Sequence, residues 1–131
     1  MAEKMSAREQ TFIIVFEKSF NDDMTVEEII GFANECENLT VSEKAKLASK
    51  GIERNLEEID ETIEKHLRSW KKARLSKVAL AVLRLGVYEL TLSKPAPVGV
   101  IISEAVNICK KYGSDEDKSF VNGVLGSVAR G

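Results

Sequence analysis

The sequence predicts an all-α protein, a bundle of about seven helices, and three observations predict it. Helix-start signals recur: Ser6-x-x-Glu9, Thr25-x-x-Glu28 and Thr40-x-x-Glu43 fit the capping box, and Ser114-x-x-Asp117 is a weaker version of it. In that arrangement the hydroxyl and the carboxylate each satisfy a backbone N–H that otherwise lacks a partner. Apolar residues return every three or four positions, and no stretch alternates at period two. A chain of 131 residues that is 44% hydrophobic and 31% charged has enough apolar side chain for one sizeable core and is not a disordered polymer.

The first helix runs roughly from Ser6 to Phe20. Phe12, Val15, Phe16 and Ser19 share one face, and Arg8 lies a turn earlier on the same side. Asn21-Asp22-Asp23 ends it, and a second helix follows Thr25. A third begins near Thr40. Its apolar positions Ala45, Ala48, Ile52, Leu56, Ile59, Ile63, Leu67 and Trp70 extend so far that a bend is expected between Gly51 and Asn55. Glu61 with Lys65 and Glu64 with Arg68 are favourable i, i+4 pairs on its wet face. Residues 76–90, SKVALAVLRLGVYEL, are apolar nearly all round, so this helix is central or its spare face meets a partner. Pro95 and Pro97 break the chain. A helix then spans about Val98 to Tyr112, with Ile101, Ile102, Ala105, Cys109 and Tyr112 as its stripe and Gly113 as a left-handed stop. The last helix starts after Ser114.

The net charge of −2 hides a split. Residues 1–70 carry sixteen Asp/Glu against nine Lys/Arg, and residues 71–131 carry five against ten. Lys71, Lys72, Arg74 and Lys77 form a tight basic group, either a solvated surface or a holder of phosphates. The apolar runs are far too short to span a bilayer, and the start MAEKMSAREQ has no secretory core, so a cytoplasmic location without membrane contact is expected. Cys36 and Cys109 lie in helical patterns without a CxxC and read as reduced, buried thiols.

An enzyme needs a constellation, and none assembles. His66 is the sole histidine and reads as part of a charged helix surface. There is no metal-ligand spacing, no GxGxxG and no phosphate-binding loop, so no cofactor, metal or small-molecule substrate is expected. Acid pairs such as Glu57-Glu58 and Asp60-Glu61 sit among balancing charges.

Residues 118–125, KSFVNGVL, contain the strongest short turn dipeptide, Asn122-Gly123, inside helical spacing. On a wheel of about 100° per residue, Val121, Val124, Leu125 and Val128 form a core stripe. Asn122 lies on one flank and Phe120 on the other, with Gly123, Ser127 and Arg130 continuing round the outer side. Phe120 either folds over the core edge or offers a stacking shelf to an unpaired base, with Gly123 allowing close backbone approach and Lys118 and Arg130 supplying charge.

Four pieces together resemble the NusB family of bacterial antitermination factors: AREQTFIIVFE near the start, VLRLGVYEL at 82–90, PVGVIISEAVNICKKYG at 97–113, and FVNGVL at 120–125. The resemblance covers essentially the whole chain. It implies a single RNA-binding domain of two packed helical subdomains, here roughly 1–70 and 71–131. It implies binding of the boxA sequence of ribosomal RNA leader transcripts, together with NusE, also a ribosomal small-subunit protein, in the RNA polymerase antitermination complex. Carried over by position, the RNA-site candidates are Arg8, Phe16, Glu116, Phe120 and Asn122, and Lys4 and Lys118 join them as nearby positive charge. Val82, Arg84, Leu85, Tyr88 and Glu89 border the expected NusE surface.

The chain departs from the family pattern in three places. Only Lys4 and Arg8 are basic near the start, where members often carry several arginines, and fewer phosphate contacts mean weaker, less salt-dependent binding. Ala79 and Leu80 stand where members usually have an acidic and then a basic residue, which leaves more apolar surface for a partner or for self-association. Ser103 replaces a common asparagine. The reading from another class is a helical protein–protein adaptor that has lost RNA affinity. A related one is a free-standing copy of the NusB-like domain that precedes some RNA methyltransferases. With no methyltransferase following, catalysis is not expected.

Overall fold

A computed structural model describes residues 5–36, 40–67 and 75–131. Lys4, Arg68, Trp70, Lys71, Lys72 and Arg74, all singled out from the sequence, lie outside the described residues. Among those described there are seven α-helices and no strand: α1 Ala7–Lys18, α2 Val26–Cys36, α3 Glu43–Arg54, α4 Leu56–Lys65, α5 Lys77–Tyr88, α6 Val98–Tyr112 and α7 Asp115–Arg130. A π-helical turn, Glu89–Ser93, follows α5. The helices sort into two units, one ending at Arg54 and one beginning at Asn55. The boundary is the expected bend in the long apolar stripe, which here becomes a break between α3 and α4.

In the first unit α1, α2 and α3 pack on one another around Ile14, Val26, Ile29, Ile30, Val41 and Ala45. The Thr25/Glu28 capping box forms in both directions: the Thr25 N–H donates to Glu28 Oε1 (3.0 Å) and the Glu28 N–H to Thr25 Oγ1 (3.1 Å). The Thr25 backbone N–H, and after it the Thr25 hydroxyl, hold the exposed Glu28 carboxyl below its ordinary range. Ser6 accepts from the Glu9 N–H as expected (3.1 Å). The third box is a correction, because α3 is capped by Ser42, which accepts from the Ala45 N–H (3.1 Å), and not by Thr40. The buried amide of Gln10 donates to the Thr40 carbonyl (3.2 Å) and accepts from the Ser42 N–H (2.9 Å), pinning the chain before Glu43 so that the helix starts two residues late.

The second unit is arranged around α5, which packs against α4, α6 and α7. Every residue from Ala79 to Val87 is buried. Ala79 and Leu80, expected to widen a partner surface, are core residues instead, at 1% and 7% exposure. The one charge within that run, Arg84, forms a fork with Asp60 of α4: Nε to Oδ1 and Nη2 to Oδ2, both 2.9 Å. Gly86 lets α7 approach, since a Cβ there would lie 2.7 Å from a methyl of the fully buried Leu125.

Two chain reversals differ from the sequence reading. The helix expected to end at Leu90 loosens after Tyr88 into the π-helical turn, closed by the Lys94 N–H donating to the Glu89 carbonyl (2.8 Å). Lys94 adopts φ 45°, a left-handed conformation uncommon for a side chain with a Cβ, just before Pro95. Gly113 is not left-handed: its φ is −116° and ψ −163°, because one extended residue carries α6 straight to the cap of α7. Glycine is needed there for space, as a Cβ would stand 2.8 Å from Asp117 Oδ2 and 3.1 Å from Val78. The α6 stripe also shifts, with Ile108 buried and Tyr112 exposed.

Because Leu125 has nowhere to retreat, Gly86→Ala is expected to destabilise the protein by about 1–3 kcal/mol in urea unfolding. Shortening Leu125 to Val in the same chain is expected to recover part of that loss.

Candidate functional site

The last helix places its side chains as the wheel requires. Val121, Val124, Leu125 and Val128 are buried, Asn122 and Gly123 are exposed, and Phe120 is half-buried. Asn122-Gly123 is therefore mid-helix and not a turn. Glu116 and Ser119 are exposed one turn before Phe120 and Gly123. Lys118 does not join them. At about 100° per residue it falls on the Asn122 flank, roughly 160° from Phe120, and its ammonium lies 3.8 Å from Asp115. Ser127, expected to border an open shelf, is half-buried and engaged: its Oγ is 2.8 Å from Nδ1 of His66. His66 is correspondingly not a free surface side chain. It ends α4 and ties that helix to α7.

Beside Phe120 the surface opens into a groove of about 580 Å³ lined by Leu75, Ser76, Ala79, Ser114, Glu116, Asp117, Ser119 and Phe120. Its floor is a junction of two helix starts. Ser114 caps α7 by accepting from the Asp117 N–H (3.0 Å), and Asp117 Oδ2 accepts in return from the Ser114 N–H (3.1 Å). The other oxygen of Asp117 accepts from the Ser76 hydroxyl (2.9 Å), and Ser76 in turn caps α5 by accepting from the Ala79 N–H (3.0 Å). One carboxylate thus serves two helix N-termini, where the backbone dipoles favour negative charge. The sequence shows the Ser114 cap but not that it faces the cap of α5.

Buried below this junction, Cys109 is a free thiol pushed up to about 12, first by burial and then by the Asp117 charge. Such a group stays protonated and is a poor nucleophile. Among the described residues no three His, Cys, Asp or Glu side chains cluster as metal ligands.

In the first unit Arg8 stands half-buried in the first turn of α1, and Phe16 is half-buried a little further along. Phe16 belongs to an aromatic ladder at i, i+4 spacing. Its ring lies 5.8 Å from that of Phe12, stacked, and 5.1 Å from that of Phe20, edge-on. Phe20, 58% exposed, is the wet end of the ladder. The sequence reading treated it only as the end of the helix, although its spacing from Phe16 marks it.

The partner-surface candidates on α5 and at the start of the π-helical turn need correction. Val82 and Leu85 are at 0% and 2% exposure, Arg84 is turned into the Asp60 fork, and Glu89 is buried. Only Tyr88 retains partial exposure. Four of the five support the fold from inside.

Residues 5–130 match the model of the NusB family. The chain belongs to the NusB family. It is 42% identical over 119 residues to the transcription antitermination protein NusB of Lysinibacillus sphaericus, covering 91% of each chain. Among solved structures it is similar to NusB of T. maritima, at 36% identity and TM-score 0.80, over 98% of this chain and 93% of that one. It is also similar to a chain in the crystal structure of antitermination factors NusB and NusE in complex with dsRNA, at 31% identity and TM-score 0.81, over 95% and 93%. No helix among the described residues is long and apolar enough to cross a membrane. In this NusB-family chain a groove at the start of α7 opens among the described residues of the second unit.

The Asp117 junction shapes that groove, so Asp117→Ala is expected to cost about 1–2 kcal/mol in urea unfolding through the lost cap. Asp117→Asn, which keeps an acceptor oxygen, is expected to lose less.

Proposed function

We propose that this chain is a transcription antitermination factor that binds the boxA RNA of ribosomal RNA leader transcripts together with NusE, as part of the RNA polymerase antitermination complex. The observation that carries the reading is Phe120, an aromatic ring held half-exposed by a rigid helix at the lip of an open groove, in a chain that matches the NusB family from residue 5 to residue 130. A ring so held offers a stacking face to an unpaired base, the common basis of single-stranded RNA recognition. Asn122 adds an amide able to donate and accept. In the first unit Arg8, Phe16 and, outside the described residues, Lys4 are the matching candidates.

The groove itself favours assisted binding. Its described lining holds two carboxylates, Glu116 and Asp117, and no Lys or Arg. Phosphates find little to neutralise them there, so stacking and a second protein supply the affinity. The same observation supports the second reading, an adaptor of NusB type that engages NusE and ignores RNA.

In a competition shift at fixed salt, boxA RNA is expected to bind weakly alone and more tightly with NusE, and better than a scrambled oligonucleotide. No gain on adding NusE overturns the proposal, and NusE binding without any RNA preference establishes the adaptor. Phe120→Ala is expected to weaken RNA binding by about 1–3 kcal/mol while the helical circular dichroism is retained.

A further inference from the structure

Gly123 lies in the middle of α7, exposed, and a Cβ built on it would meet nothing within 4 Å. Its φ is not positive. Neither backbone conformation nor packing within the protein requires glycine there, in contrast to Gly86 and Gly113. Glycine is the least favourable helix-interior residue after proline, so this position forgoes stability for no internal reason.

The neighbours of Gly123 supply one. Phe120 and Asn122 are about 160° apart round α7, and Gly123 lies between them on the outward side, about 60° from Phe120 and 100° from Asn122. A strand that stacks a base on Phe120 and also reaches the Asn122 amide has to cross the outer face of the helix. A side chain at position 123 would hold that strand off by the thickness of a methyl group or more.

We propose that Gly123 is the crossing point, where single-stranded RNA lies directly against the backbone of α7 and so engages Phe120 and Asn122 at once. Gly123 is then a positioning residue for the ligand, and the inference rests on the RNA-binding reading above.

Gly31 of α2 serves as an internal control, because it too is helical with no atom within 4 Å of a built Cβ. In the full chain, Gly123→Ala and Gly31→Ala are each expected to raise Tm by about 3–6 °C. With NusE and a boxA oligonucleotide, only Gly123→Ala is expected to lose affinity, by roughly tenfold, about the value of one stacked base. Its binding to NusE without RNA is expected to be unchanged. RNA affinity equal to that of the parent overturns the crossing point, as does a fall in Tm, a loss of NusE binding, or an equal loss of RNA affinity in Gly31→Ala. If Phe120→Ala weakens RNA binding and Gly123→Ala does not, the crossing point alone falls. If the parent shows no preference for boxA, the RNA reading falls and takes the crossing point with it.

Discussion

The second unit depends on a helix that has no wet face. From Ala79 to Val87 α5 is buried, so each polar group and each bulky group on it has to be accommodated by the helices around it. Arg84 is the severe case. A guanidinium at this depth is tolerated only when paired and hydrogen-bonded, and Asp60 provides a planar two-bond fork from α4. Removing Asp60 leaves the buried Arg84 charge without its fork, at a cost of about 3–5 kcal/mol, while exchanging both for apolar residues of similar volume comes close to neutral. The fork is therefore better understood as fixing the register of α4 on α5 than as a large net source of stability. Gly86 does the same for α7 by steric means, seating Leu125 where any other residue would collide with it.

Once α7 is seated, what it shows to solvent follows. Its stripe of Val121, Val124, Leu125 and Val128 faces inward, which turns Glu116, Ser119 and Gly123 outward and leaves Phe120 at the border. The Asp117 carboxylate then links the caps of α5 and α7, and His66 holds the far half of α7 through Ser127. A candidate contact surface thus stands on a helix braced near both ends, with little conformational freedom to lose when a ligand arrives. Preorganisation of that kind matters most where contacts are few.

Much of this was legible in the sequence because it depends on local rules. Capping signals located the starts of α1, α2 and α7, the prolines located the start of α6, and the wheel of α7 sorted buried from exposed positions. Several exceptions come from contacts between residues far apart in the chain. Thr40-x-x-Glu43 obeys the capping pattern, but Gln10, thirty residues away, holds the strand in front of it and gives the cap to Ser42. Gly113 follows a lysine pair as a helix stop should, yet Asp117 and Val78 determine its role. His66 looked like a surface residue because Ser127 is sixty-one positions further on. The five positions between Val82 and Glu89 were assigned to a partner by the family resemblance, and the apolar pattern did not correct this because an all-apolar helix has two explanations between which only the surrounding helices choose.

Electrostatics set the character of the candidate interface. A protein that binds RNA mainly by neutralising phosphates releases many counterions and weakens steeply with salt. Here the overall charge is −2, the groove beside Phe120 is lined by two carboxylates, and the ammonium of Lys118 sits against Asp115 on the opposite flank of α7. Little counterion release can come from the described lining of the groove. On the proposed reading, RNA affinity rests on stacking, on hydrogen bonds to base edges, and on charge brought by a second protein. Stacking alone tolerates any base, since every base has a π-face, whereas hydrogen bonds at base edges discriminate. With few phosphate contacts to hold a strand regardless of sequence, the proposed contacts at Asn122 and over Gly123 would carry a larger share of any discrimination than they would on a basic surface. A weakly charged site is for that reason consistent with selective binding that requires a partner.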